Sequence, residues 1–109
     1  MKLQEIIDKV SIKLLTKTEE KEVSGVFISD MLSDVMSSAQ AGNLWLTVQT
    51  HKNIVAAANL VDISAVVITN GKEVPEATIE LANRFHVTIL SCQYSSFELA
   101  SKLLEIGLK

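Results

Sequence analysis

The sequence has very little cysteine: Cys92 is the only one among 109 residues. A lone cysteine cannot form an intrachain disulfide, and its place in an apolar, strand-like stretch predicts a buried thiol. We therefore expect a protein of a reducing compartment that is held together by its core alone. The length is close to the commonest domain size, which predicts one domain over residues 1–109.

Long hydrophobic runs and an excess of basic residues are also absent. No stretch approaches the ~18 uninterrupted apolar residues of a membrane-spanning helix, and the first ten residues contain Glu5 and Asp8, unlike a signal peptide. The formal net charge is −3, whereas proteins that bind a phosphate backbone usually carry a basic surface. These absences predict a cytoplasmic protein that binds neither membranes nor nucleic acid.

The motifs of several common enzyme classes are missing. There is no GxGxxG fingerprint, and Gly71-Lys72 is followed by Glu73, where a P-loop has Ser or Thr. There is no GxSxG nucleophile elbow, and the two histidines and one cysteine lack the spacing of metal ligands. We therefore predict that the chain is not an enzyme and carries no cofactor and no metal.

Apolar residues, by contrast, are abundant: they make up 48% of the chain, and the mean hydropathy is +0.29. A small domain has much surface to cover, so such an excess predicts that some apolar surface faces a second subunit, as in a homodimer. A parallel sheet rich in Val and Ile explains the same composition. Both explanations stay open at this point.

Apolar strand patterns alternate with amphipathic helix patterns along the chain. Residues 65–68 form a continuous apolar run, typical of a strand buried on both faces. The order predicts an α/β fold, with a mostly parallel sheet of four to five strands flanked by helices in three layers. The charged segment 16–22 is predicted to be a solvated loop.

Helix boundaries and faces follow from local patterns. We predict that Ser29 or Asp30 caps the second helix, that Thr50 caps a helix over 51–61, and that Ser95 forms a capping box with Glu98. The predicted inward faces comprise Met31, Leu32, Val35, Met36 and Ala39 in the second helix, and Leu99, Leu103, Leu104 and Ile106 in the last.

Polar residues cluster where the predicted strands end. In an open parallel sheet these ends share one edge, where ligands bind, so the cluster predicts a site for a small polar or phosphorylated ligand. The cluster includes Ser91, Gln93, Ser95 and Ser96 after the last strand. Helix capping explains about half of the cluster, but not Gln49, His51 or Gln93, and a merely polar rim remains the alternative. The predicted ligand-binding residues are Ser29, Asp30, Thr47, Gln49, Thr50, His51, Asn53, Thr69, Asn70 and Gly71, with Asp30 available to orient His51 or to accept from the ligand.

Several of these stretches resemble the DRTGG domain family. The resemblance lies in residues 23–36 (VSGVFISDMLSDVM), 42–51 (GNLWLTVQTH), 53–58 (NIVAAA) and 65–71 (AVVITNG), and it extends over essentially the whole chain. The motif that names the family is not present: residues 22–26 read EVSGV, which keeps one glycine and lacks the arginine.

DRTGG domains occur in some phosphotransacetylases and between CBS modules of regulated pyrophosphatases, and are similar to the N-terminal, non-catalytic domain of HPr kinase/phosphorylase. The resemblance therefore implies a regulatory or assembly module, often dimeric, without chemistry of its own. The alternative is a purely structural protein–protein interaction subunit of a larger complex that binds no small ligand.

Overall fold

The computed structural model describes residues 1–17 and 19–109, so one position of the predicted loop 16–22 lies outside the described residues. Five helices and five strands are formed in the described part of the chain. In chain order they are α1 (Leu3–Lys9), β1 (Lys13–Leu14), β2 (Val26–Ile28), α2 (Leu32–Ser38), β3 (Leu44–Thr47), α3 (Asn53–Val61), β4 (Ala65–Ile68), α4 (Glu76–Arg84), β5 (Ile89–Ser91) and α5 (Ser96–Glu105).

The strands form one sheet in the order β1-β5-β4-β3-β2. The strands from β2 to β5 are parallel and lie in chain order, whereas β1 pairs antiparallel with β5, with Lys13 opposite Ser91. The predicted α/β class with a mostly parallel sheet is therefore confirmed. Because β2 to β5 run in the same direction, their carboxyl ends lie on one edge of the sheet.

The sheet separates two apolar cores. Leu44 and Leu46 of β3 pack in one core with residues of α1 and α5. Trp45 points to the other side and packs in the second core with residues of α2, α3 and α4. Each right-handed crossover moves one strand further in the same direction, so the three connecting helices share a face. The fold thus has three layers, as predicted.

One predicted helix cap is confirmed and the others are wrong. Ser95 Oγ accepts from the N–H of Glu98 at 3.2 Å, and Glu98 accepts from the N–H of Ser95 at 3.1 Å. Hydrogen bonding from the Ser95 backbone N–H, and to a smaller extent from the Ser95 side chain, lowers the pKa of the Glu98 carboxyl. The residues before α2 and α3 are instead Met31 and Lys52, and neither side chain caps its helix. The chain forms turns after β2 and β3, so both helices begin later than predicted.

Three side chains predicted to face inward lie at the surface. Met31, Met36 and Leu104 are 64%, 46% and 63% exposed. In α5 the core takes Leu99 and Leu103, both fully buried. Adjacent helix positions differ by about 100° in direction, so Leu104 cannot face the same core as Leu103.

Cys92 is buried, as predicted. Burial raises the pKa of its thiol, and backbone hydrogen bonding with Tyr94 only partly opposes this effect. The thiol is therefore protonated at neutral pH. Within the described residues, no helix is both long and apolar enough to cross a membrane.

Candidate functional site at the carboxyl edge of the sheet

The ten residues predicted as a ligand site follow β2, β3 and β4 or end β3. The parallel strands bring them to one edge of the sheet, where they form three groups. The first joins the ends of β2 and β3, the second is the turn before α3, and the third is the loop after β4.

The first group centres on Asp30. Its carboxylate accepts from the Thr47 hydroxyl at 2.8 Å and from the Val48 N–H at 2.9 Å. The Gln49 side chain donates to the Asp30 carbonyl at 3.0 Å, and the Gln49 N–H donates to Thr47 Oγ1 at 3.1 Å. Thr47 is fully buried. Its hydroxyl therefore supports the edge from inside and is not open to a ligand.

The loop after β2 is also held from the core. The indole N–H of Trp45 donates to the Ser29 carbonyl at 2.8 Å, and Ser29 Oγ accepts from the Met31 N–H at 3.1 Å. Ser29 is thus occupied by local bonds. Ser29 and Asp30 together fix the chain between β2 and α2 relative to the end of β3.

Replacing Asp30 by alanine tests this network. The variant leaves a buried Thr47 hydroxyl and the Val48 N–H without their acceptor, and we expect the free energy of unfolding to fall by about 1–3 kcal/mol. Urea unfolding followed by circular dichroism measures the change. Asp34→Ala, an acid on α2, is the matched control and should cost no more than about 0.5 kcal/mol. An equal loss in both variants would show that the network contributes nothing specific.

The second group is the turn before α3. His51 is exposed, and its Nδ1 accepts from the Asn53 N–H at 3.3 Å. The Thr50 carbonyl accepts from the buried Thr78 hydroxyl of α4 at 2.8 Å. Among the described residues no hydrogen bond joins Asp30 to His51, so Asp30 does not orient the imidazole. The turn is fixed from below by α4, with His51 and Asn53 on its exposed side.

The third group is tied to the loop that follows β5. The N–H groups of Asn70 and Gly71 donate to the carbonyls of Tyr94 and Cys92 at 2.8 and 2.9 Å. Gly71 has a φ of 64°, and a Cβ there would lie 2.5 Å from the Gln93 side-chain oxygen. Asn70 is also left-handed, at a φ of 63°. The left-handed conformation therefore favours glycine at position 71, and a Cβ there would require the exposed Gln93 side chain to move.

Helices α4 and α5 leave β4 and β5 toward opposite faces of the sheet. A crevice opens at such a point in many open sheets, but here the bonds between the two loops close it. Thr69 is fully buried, with its hydroxyl 3.4 Å from that of Ser96. A shallow depression of about 350 Å³ does lie at this edge, lined by residues 11–13 and 91–93, which are not among the predicted ones.

Three residues that take part in this edge are not among the predicted ligand-binding residues: Thr78, which sequence reasoning missed, and Gln93 and Ser96, which were predicted to lie at the edge. Gln93 and Ser96 follow a strand, as the predicted residues do, and that signal was sufficient to include them. Thr78 lies inside α4, 28 positions from its partner Thr50, and no local pattern indicates such a contact. No group of three or more acidic, histidine or cysteine side chains in the described part of the chain is placed to hold a metal ion.

Comparison with known proteins places this arrangement in a family. No curated protein sequence matches the chain. A solved structure, the CBS and DRTGG domains of the regulatory region of Clostridium perfringens pyrophosphatase complexed with the activator diadenosine tetraphosphate, matches with a TM-score of 0.75 and 18% identity. The match covers 94% of this chain and 45% of that one, so this chain spans less than half of its relative's length. The model of the DRTGG domain family matches residues 5–106, and the chain therefore belongs to that family.

Proposed function

We propose that the chain is a non-catalytic regulatory module of the cytoplasm that dimerises and binds a small polar or phosphorylated ligand at the carboxyl edge of its sheet. The observation that carries this proposal is the turn before α3, where His51, Lys52 and Asn53 are exposed on a support built by Asp30 and Thr78. A backbone turn that is already held in place by hydrogen bonds favours binding by its exposed polar groups, because the turn then loses less conformational entropy when a ligand binds.

Charge at this edge supports an anionic ligand. Lys52 follows β3 and Lys72 follows β4, and both are exposed. These strands are neighbours in the sheet. The carboxylate of Asp30, which lies at the same edge, already accepts two hydrogen bonds from the protein. The amino end of α3 adds partial positive charge, which favours phosphate groups.

Family membership supports a regulatory role. The related Clostridium perfringens region is regulatory, and its structure contains diadenosine tetraphosphate as activator. A nucleotide with a polyphosphate chain fits the chemistry described for this edge, since it carries several negative charges and many hydrogen-bonding groups. We therefore take diadenosine tetraphosphate, ATP and AMP as probes.

Isothermal titration calorimetry and thermal melting with these three probes test the proposal. We expect at least one probe to bind, and a probe present at about 100 times its dissociation constant should stabilise the fold by about 2.7 kcal/mol. His51→Ala and Lys52→Ala should each weaken binding about tenfold or more, because each removes a group that faces the ligand.

The controls are His86→Ala and Lys21→Ala, the same changes at the opposite edge. His86 lies before β5, and the Lys21 ammonium donates to the His86 carbonyl at 2.8 Å. Both controls should bind the probes as the unchanged protein does. Equal weakening by all four changes would show that binding is not specific to the carboxyl edge, and the absence of binding by the unchanged protein would refute a nucleotide site.

A second candidate function is assembly without a small ligand. The outer side of the α2–α4 layer contains an apolar groove of about 400 Å³, around which Met36, Leu60 and Phe85 are 46%, 72% and 50% exposed. Exposed apolar surface of this kind is typical of protein contacts. Failure of all three probes to bind, together with stable self-association, would favour this candidate.

A further inference from the structure

The depression of about 350 Å³ at the carboxyl edge of the sheet is built by β1, β5 and the residues next to them. Residues 11–13 line one side of it and residues 91–93 line the other. Lys13 lies opposite Ser91 in the antiparallel pairing of the two strands, so this pairing holds the two sides together. The depression is therefore part of the sheet edge itself and not a gap between loops.

The polar groups around the depression are not used by the rest of the fold. Within residues 1–17 and 19–109, the side chains of Ser11, Lys13, Ser91 and Gln93 form neither a hydrogen bond nor an ion pair. The backbone N–H groups of Ser11 and Gln93 have no acceptor there either. Side chains of the first group at this edge, by contrast, bond to one another. The depression therefore has binding capacity that the fold leaves open.

These groups suit an anion. The Lys13 ammonium and the two backbone N–H groups are donors, and the hydroxyls of Ser11 and Ser91 can donate as well. Among the residues of the lining, Lys13 is the one charged residue, and no carboxylate is present. Hydrogen bonds from an ammonium to a phosphate oxygen are among the strong ones in proteins, because both partners are charged. The lining thus favours a phosphate group over a cation.

Gln93 connects the depression to the ligand site proposed above. Its side-chain oxygen would lie 2.5 Å from a Cβ placed on Gly71, so Gln93 packs against the loop after β4, which continues into Lys72. The strand order β1-β5-β4-β3 sets the depression, this loop and the turn before α3 in a row. Neighbouring strands lie about 4.8 Å apart, and the row is therefore about 10–14 Å long.

We propose that the depression is a second anion-binding subsite, which holds the distal phosphates of a ligand whose first phosphate lies at the turn before α3. The inference rests on the proposed function and specifies its ligand class, a compound with an extended chain of several phosphates. Such a chain meets Lys52, Lys72 and Lys13 in succession, whereas a compound with one phosphate occupies the turn alone. Lys13 is then the residue that distinguishes a long ligand from a short one.

Isothermal titration calorimetry of two variants tests the subsite, with diadenosine tetraphosphate as the long probe and AMP as the short one. Lys13→Ala removes the ammonium from the depression. Lys17→Ala is the matched control, since it makes the same change at the opposite edge, where the Lys17 N–H donates to the Asn83 side chain at 2.8 Å. Both lysines are exposed, so both variants should fold and show the circular dichroism of the unchanged chain.

We expect one molecule of diadenosine tetraphosphate to bind per chain. Lys13→Ala should weaken that binding about tenfold, the loss of one hydrogen bond between charged groups. It should change the affinity for AMP less than about twofold, because solvent and salt screen a charge that the ligand does not contact. Lys17→Ala should bind both probes as the unchanged chain does.

An affinity for diadenosine tetraphosphate that Lys13→Ala leaves unchanged, or that Lys17→Ala lowers equally, would overturn the subsite while the proposed ligand site stands. Equal weakening of both probes by Lys13→Ala would overturn it as well, since Lys13 would then not distinguish their lengths. Two molecules of the long probe per chain would show separate sites in place of one shared ligand. If the unchanged chain binds neither probe, the subsite and the proposed ligand site both fail.

Discussion

Replacing Trp45 by alanine is expected to lower the free energy of unfolding by about 3–5 kcal/mol. Trp45 lies in the middle of β3, is fully buried and belongs to the core shared with α2, α3 and α4. Truncation leaves a large cavity there, and it also leaves the Ser29 carbonyl without the indole N–H that donates to it at 2.8 Å. Both effects destabilise the folded state.

The measurement is urea unfolding followed by far-ultraviolet circular dichroism, because Trp45 is the only tryptophan and its fluorescence is lost in the variant. Trp45→Phe is the matched control, since it keeps most of the apolar volume and removes the hydrogen bond. We expect it to cost clearly less than Trp45→Ala. Equal costs would show that the hydrogen bond to Ser29, and not packing, dominates at this position.

The second large effect is expected at Leu103. Leu103→Ala should lower the free energy of unfolding by about 2–5 kcal/mol, because this side chain is fully buried between α5 and the sheet. Leu104→Ala makes the same chemical change one position later. In the monomer it should alter stability by no more than about 0.5 kcal/mol, since Leu104 is largely exposed.

Thermal or urea unfolding at a concentration where the chain is monomeric compares the two variants. The pair is matched in residue type, helix and sequence neighbourhood, and only burial differs. If Leu104→Ala were the more costly change, the orientation of α5 on the sheet would be wrong.

Much of the fold could be predicted because its signals are local. The apolar run at residues 65–68 coincides with β4, and the Ser95–Glu98 capping box marks the start of α5. The pairing of β1 could not be predicted in the same way. Lys13 lies opposite Ser91, and no pattern within a two-residue strand specifies a partner so distant in the chain.

The candidate site was predictable in position but not in its contacts. Polar residues after successive parallel strands must share an edge, and they do. Which of them bond to each other depends on the turns between strand and helix. The turn after β3 delays the start of α3 to Asn53, so Thr50 is not a cap, and Asp30 bonds to Thr47 and Val48 instead of capping α2.

The separation of the interior into two cores has a consequence for optical studies. Trp45 belongs to the core beneath α2, α3 and α4, and the sheet divides it from the core beneath α1 and α5. Tryptophan emission therefore follows the melting of one side of the molecule, whereas circular dichroism follows the helices on both sides. Superimposable curves from the two signals would mean that the two halves of the interior melt as a single cooperative unit.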